Sequence, residues 1–509
     1  MQLRIRARPT VTAANAFWNT LTAASMNLYA AETADGDVFH QVGFALGVQI
    51  ATWAVCMIVA AGCCPGRILR ISDPVVLTLL LSVLYLIYPS IVWCQGKEIP
   101  FDFGITADTA SLLFFLHALF FLGLIAGYKC TAPRADLHVD VRRLPSPWPL
   151  FIGAMPLLLA TTVARLVSGG GLISNSTYGT NWFALQANVN DAHAAGGVGY
   201  VIVQVISKIW SYPIIMQGIG AGLLLARATR RPRNSGVAYL ILICATAAAI
   251  ALLGIGGRSP AIIYVLVALI FFDTIAGPLR WRIIAPFAVA GMMFFFLMGY
   301  VRKHFDLGFP QAFEIGYQEY RTDQDVNNAG EFTGMLAKEA LAVQITHERG
   351  FDGMYLVHAI LSLVPSQILP AKMSWTPMRD VLSRRILGPI AADMGAGVDG
   401  ASLGDGYAFA GAPGVFILTA LFGIILGQVR KWGTRDSKGG NNPELLRVAL
   451  MAGLIGFTHM LIRSDLAGML TYVVYVLLIP WWVLRLLLPG TQNWMRPVPQ
   501  MWHPPQRGA

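Results

Sequence analysis

The sequence predicts an all-α polytopic membrane protein of eleven or twelve transmembrane helices with one large extracytoplasmic helical loop. Three observations carry this reading. Hydrophobic residues make up 55% of the chain and charged residues only 13%, roughly half the charged share of a soluble globular protein. The apolar residues gather in runs of the ~20 residues that a helix needs to cross a hydrocarbon core. One stretch, residues 301–407, interrupts that rhythm with a long polar insert.

In chain order, the apolar runs fall at 41–62, 73–94, 107–128, 147–167, 198–226, 236–255, 260–277, 281–300, 408–428, 446–463 and 466–487. A twelfth candidate at 10–31 has no charge but is rich in Thr and Asn, which makes it marginal. No short apolar core with a cleavage site opens the chain, so the spans themselves are expected to direct insertion. The six cysteines show no ligand spacing and read as small packing residues.

Charge orients the bundle. Arg67 and Arg70 follow the first firm span, and Lys129, Arg134, Arg142 and Arg143 the third. Arg227, Arg230, Arg231 and Arg233 follow the fifth, Arg280 and Arg282 the seventh, and Arg430, Lys431, Arg435 and Lys438 the ninth. The alternate loops are nearly bare: Lys97 stands alone in one, and residues 169–197 hold no Lys or Arg. The positive-inside rule places the basic set in the cytoplasm. The net charge of +10 is thus an orientation signal and argues against a nucleic-acid surface. The resulting organisation is a transmembrane bundle over 1–300, an extracytoplasmic loop over 301–407, C-terminal spans over 408–488 and a cytoplasmic tail over 489–509.

Two arginines run against the bias. Arg258 in GIGGRSPAII and Arg463 in HMLIRSDLAGML each sit in a tight turn expected to face outward. Each either snorkels to headgroups or caps a helix end, or marks a site, since charge at membrane depth is expensive. Two such turns on one face, beside a large polar loop, favour a site. Within the loop, Phe332–Ile345 and Met354–Leu363 carry apolar periodicity and read as amphipathic helices. A small helical cap over the outer mouth of the bundle is expected. No Walker loop, HExxH or paired CxxC occurs, which excludes an ATP-driven motor and the commonest metal signatures. The pairs Gly43/Gly47, Gly218/Gly222 and Gly423/Gly427 read as helix-packing features.

Four stretches resemble one family. VPSQILPAK (364–372) is similar to the Pro…Pro-x-Lys segment of the large periplasmic loop in bacterial oligosaccharide repeat-unit polymerases, the Wzy-type O-antigen and exopolysaccharide polymerases. GASLGDGYAFAGAPGVFILTALFGIILG (400–427) resembles that family's passage from loop to span. GGRSP (256–260) resembles its outward Arg turn, and IRSDL (462–466) its late Arg–Asp turn. The likeness covers roughly residues 250–470; the N-terminal half agrees in hydropathy alone.

The resemblance implies a glycosyltransferase of GT-C-like architecture in the bacterial inner membrane, with the large loop in the periplasm. It implies en bloc transfer of a glycan from undecaprenyl pyrophosphate to a lipid-linked repeat unit, without metal or other cofactor. The implied partners are the lipid-linked donor and acceptor, together with a chain-length regulator and a flippase, and no nucleic acid. A lipid pyrophosphate leaving group then needs protein cations, and Arg suits because it stays charged and forks onto phosphate oxygens. Arg258 and Arg463 lead that set; Arg302, Arg321, Arg349 and Lys372 are further candidates, and Tyr407 offers a face for sugar stacking. For the base, His347, Glu348, Asp405 and Asp465 are the outward candidates. His347 and Glu348 are adjacent on a helix, so only one can face a cleft. Asp465 could instead pair with Arg463. A ligase of the same fold is the rival reading. A transporter is the more distant one, because no matched half-repeats stand out, Arg165 and Lys208 are the only basic residues near span interiors, and the large one-sided loop favours surface chemistry.

Overall fold

The computed structural model describes residues 36–63, 70–95, 105–131, 146–168, 211–228, 238–239, 241–247, 250, 259–277, 297, 300–301, 304, 309–322, 330–361, 363–364, 369, 378–389, 402–434, 445–456, 458–471 and 473–474. Among them the regular structure is helical. The helices are α1 (Gly36–Cys63), α2 (Pro74–Cys94), α3 (Ala107–Thr131), α4 (Trp148–Ser168), α5 (Ser211–Ala228) and α6 (Ser259–Ala276). They continue with α7 (Phe309–Thr322), α8 (Gly330–Arg349), α9 (Tyr355–Leu361), α10 (Met378–Leu387), α11 (Ser402–Gly433), α12 (Leu445–Gly456), α13 (His459–Arg463) and α14 (Leu466–Thr471). Val42–Cys63, α2, α3 and α11 are long and apolar enough to cross a membrane, and parts of α4, α6 and α12 form shorter apolar helices. The expected span at 10–31, most of those at 281–300 and 466–487, and parts of those at 198–226 and 236–255 lie outside the described residues.

Two apolar cores share the bundle. One joins α1, α2, α3, α8 and α11 around Leu113, Phe114, Phe121 and Val415. The other joins α4, α5, α6 and α12 around Tyr264, Phe271, Leu224 and Ala452. Among the described residues, α3 and α11 share the most extensive helix–helix contact. There the glycines interlock: a Cβ at Gly423 would meet Leu124 O at 2.2 Å, and one at Gly127 would meet Ala420 O at 1.9 Å. Gly218 and Gly222 likewise press on α6, but Gly43 and Gly47 face open space among the described residues. The packing role expected of small-residue pairs is thus seen at Gly423/Gly427 and Gly218/Gly222. The spacing of small residues is a local pattern, and only a partner helix makes it a seam.

The ends that the charge pattern places together do meet. Asp73 caps α2, accepting from Val75 N at 3.1 Å and Val76 N at 3.2 Å, with Pro74 at the first helical position. Its other oxygen is ion-paired with Arg430 at the end of α11 and accepts from Tyr128 Oη at 2.6 Å at the end of α3. Next door, Ser72 N donates to Asp273 of α6 at 3.1 Å. The ends of α3, α6 and α11 thus converge on the start of α2, as a shared side requires.

Within α2, Pro89 removes a backbone donor, and a π-helical turn, Val83–Ile87, precedes it. The carbonyl of Leu86 accepts from Ser90 Oγ at 2.7 Å and Gln49 Nε2 at 3.3 Å. Because Gln49 Nε2 also donates to His117 Nδ1 at 2.8 Å, the His117 proton sits on Nε2 and goes to Glu339 Oε2 at 2.7 Å. His117 and Glu339 are both fully buried.

That contact corrects the expected cap. Helix α8 does not lie over the mouth of the bundle. It is inserted among α2, α3 and α11, and over residues 334–346 only Lys338 and Gln344 are less than buried. An apolar stripe sized for one partner, as on an amphipathic surface helix, has become an all-round buried helix.

Two further differences concern boundaries. The expected span 446–463 is broken by a turn at Thr458 between α12 and α13. Helix α11 begins six residues before the expected span start at 408, and it reverses. Ala410 (φ −156°, ψ 31°) and Gly411 (φ 64°, ψ −147°) leave helical geometry. A Cβ at Gly406 would lie 2.9 Å from Val415 Cα, and one at Gly414 would lie 2.1 Å from Gly406 O. Residues eight or nine apart in a straight helix are ~12 Å apart along its axis. The segment 402–409 therefore folds back against the first turns of its own continuation, as a re-entrant helical hairpin.

Candidate functional site

The hairpin carries the site. Ser402 through Ala408 are all buried, and two contacts from α13 and α14 hold them. Ser402 Oγ donates to Leu461 O, and the backbone N–H of Leu466 donates to Asp405 Oδ2. Val415 stands fifteen residues before Arg430, or ~22 Å along α11 at 1.5 Å per residue. Asp405, level with Val415, thus sits well inside the end of α11 opposite the Asp73–Arg430 pair. The expected position of this aspartate was an exposed loop; the reversal at Gly411 takes it into the bundle instead.

A cleft of about 620 Å³, counting its open mouth, lies against the hairpin. Ile345, Thr346 and Arg349 from the end of α8 form one wall. Phe351 and Asp352 from the following turn, Tyr355 of α9, Met378 and Val381 of α10 and Ala408 of the hairpin complete it. The turn is tied down by Asp352 N donating to Ala408 O at 2.9 Å and by Met354 N donating to Asp352 Oδ1 at 2.9 Å. Phe351 is 61% exposed, although its ring edge approaches Gly411 and packs at 5.9 Å on Tyr407.

Tyr355 links cleft and hairpin. Its hydroxyl donates to Asp405 Oδ1 at 2.8 Å and accepts from Met378 N at 2.9 Å. Burial, and then the charge of Asp405, push this phenol well above its usual 10, so it stays protonated. Nothing in the local sequence singled out Tyr355. Its only signal is membership of the Met354–Leu363 run, and its partner lies fifty residues away.

The candidates from sequence divide as follows. Asp405, Asp465 and Tyr407 are buried and gather around the hairpin. Asp465 caps α14, its Oδ1 accepting from Gly468 N at 2.9 Å. Tyr407 Oη is 2.8 Å from His347 Nε2, at the end of α8. Glu348, one residue on, turns to solvent and pairs with Arg385 at 3.2 Å. Arg349 lines the cleft. The backbone of Arg463 ends α13, two residues from Asp465 and beside the hairpin's contacts with Leu461 and Leu466. Arg321 is not part of the cleft wall, and its helix α7 packs through Gly316 on Val301 and through Tyr320 on Tyr300. Arg258, Arg302 and Lys372 lie outside the described residues. Among the described residues no three His, Cys, Asp or Glu side chains gather where they could hold a metal ion.

The arrangement can place a sugar-sized ligand against an exposed aromatic ring, a guanidinium and a phenol backed by a buried carboxylate. No protein-family model, curated protein or solved structure matches the chain.

Proposed function

We propose that this chain is a membrane glycosyltransferase of GT-C-like architecture that polymerises lipid-linked oligosaccharide repeat units. It moves a growing glycan from undecaprenyl pyrophosphate onto a second lipid-linked unit, at the outer face of a bacterial inner membrane. The observation that carries the reading is the folded-back segment 402–409. It buries Asp405 beneath a cleft open at Arg349 and Phe351, at the end of the bundle away from the Asp73–Arg430 pair.

The chemistry follows from those groups. A pyrophosphate leaving group gains charge as the glycosidic bond breaks, and fixed cations in a poorly hydrated site stabilise that charge. Arg463, at the end of α13 beside the hairpin, and Arg258, in the Gly-rich sequence GIGGRSP, are assigned this role. Arg349 at the cleft, and Arg302 and Lys372, are secondary candidates. The acceptor is a sugar hydroxyl, which becomes a better nucleophile as it loses its proton to a positioned base. Asp405 is assigned that role and Phe351 shapes the sugar subsite; Tyr407, buried and outside the cleft wall, backs the Phe351 ring instead of offering a free face for stacking.

Purified protein in lipid nanodiscs, given lipid-linked repeat units alone, is expected to yield a ladder of products spaced by one repeat. A single transfer onto a different acceptor, with no ladder from repeat units alone, would make the chain a ligase. No transfer under either condition would end the assignment to glycan assembly.

A further inference from the structure

Asp405 has a problem as a base: with 1% of its surface exposed, a sugar hydroxyl standing in the cleft does not reach it. Tyr355 occupies the gap. It belongs to the cleft wall, and its hydroxyl is hydrogen-bonded to Asp405 Oδ1 at 2.8 Å. A phenol oxygen has one proton to give and two lone pairs to accept with. The proton is committed to Asp405 and one lone pair to Met378 N at 2.9 Å. One acceptor position remains for a hydroxyl bound in the cleft. The other candidate bases have different ties. His347 is bonded to Tyr407 and is not part of the cleft wall, Glu348 is paired with Arg385, and Asp465 caps α14.

We infer that Tyr355 is a catalytic residue that relays the acceptor's proton to Asp405. The inference rests on the proposed glycosyl transfer. As the acceptor oxygen forms its bond to the anomeric carbon, its O–H proton passes to the Tyr355 oxygen. The phenolic proton passes in the same motion to Asp405 Oδ1, which neutralises the carboxylate. The bond from the anomeric carbon to the pyrophosphate oxygen breaks, and its electron pair leaves with the lipid pyrophosphate. After product departs, Asp405 returns the proton through Tyr355 to water in the cleft. Tyrosine is never left as a phenolate, which suits a phenol held well above its usual 10. Met378 N fixes the ring's hydroxyl in the bridging position between turnovers.

The test uses full-length protein in nanodiscs with lipid-linked repeat units. Tyr355→Phe keeps the ring and removes the relay; it is expected to lower kcat by about 10²–10³-fold, with KM for the acceptor changed by less than about threefold. Asp405→Asn is expected to lose a similar factor, and the double variant no more than either single one, because both remove the same path. The wild-type solvent deuterium isotope effect on kcat is expected to fall towards unity in Tyr355→Phe. Wild-type kcat in Tyr355→Phe, in a protein that makes ladders, overturns the relay and leaves the polymerase reading standing. So do losses that multiply in the double variant, or a lost kcat with the isotope effect retained; the latter would mean that Tyr355 only positions α10. If Tyr355→Phe does not fold, Asp405→Asn alone decides, and an unchanged kcat there overturns the relay. A wild-type protein that makes no ladder overturns both readings together.

Discussion

Adding one methyl group to the α3–α11 seam tests the packing directly. In Gly423→Ala the new Cβ would stand 2.2 Å from Leu124 O and 2.7 Å from Tyr128 N. Both are backbone atoms of α3 and cannot rotate away. Ordinary contact needs ~3.5 Å, so the helices must part by ~1 Å, a gap that forfeits a quarter to a half of each dispersion contact along the seam. The cost belongs at the upper end of the overpacking range, about 3 kcal/mol. Alanine also returns roughly 1 kcal/mol as the better helix former, leaving a net loss of about 2 kcal/mol. Gly47→Ala is the internal control: its Cβ meets nothing within 4 Å among the described residues, so the helix gain is the expected effect. Reversible unfolding in mixed micelles, followed by circular dichroism, measures both. Equal shifts for the two variants, or a Gly423→Ala protein more stable than wild type, would refute the close seam.

Three other outcomes are expected. Glu339→Gln keeps an oxygen to accept from His117 Nε2 and should cost about 1 kcal/mol or less, whereas His117→Leu strands a buried carboxylate and should cost about 3 kcal/mol or more, read as early protease cleavage near α8. Arg430→Met should destabilise the protein by about 3 kcal/mol in the same unfolding assay, and Asp73→Asn/Arg430→Met should recover much of that loss, because the single variant leaves Asp73 buried without its cation. Arg258→Ala and Arg463→Ala should each abolish polymer in the ladder assay while the protein still inserts and purifies; long polymer from both would remove the pyrophosphate-binding role assigned to them.

Much of the bundle is legible in one dimension. Hydropathy locates α1, α2, α3 and α11 within a few residues, because twenty apolar side chains in a row have few other solutions in lipid. The alternation of basic loops pairs the ends of α3, α6 and α11 with the start of α2, where Asp73, Tyr128, Arg430 and Asp273 meet. Asp405 and Tyr407 stand out as polar residues in a small-residue run. Their surroundings do not: Tyr355 reads as one more aromatic, and Glu339 as one more charge on an exposed helix.

What the sequence alone determined is therefore the membrane class, the long apolar helices and which of their ends lie together, since each depends on the local count of apolar and basic residues. Tertiary structure decided the rest. One glycine with φ +64° turns residues 402–409 back into the bundle, and a backbone N–H sixty-one residues further on secures the aspartate there. Whether a polar residue ends up in water or inside the bundle is set by which distant donor or neighbouring helix reaches it. No count of residues along the chain contains that distance.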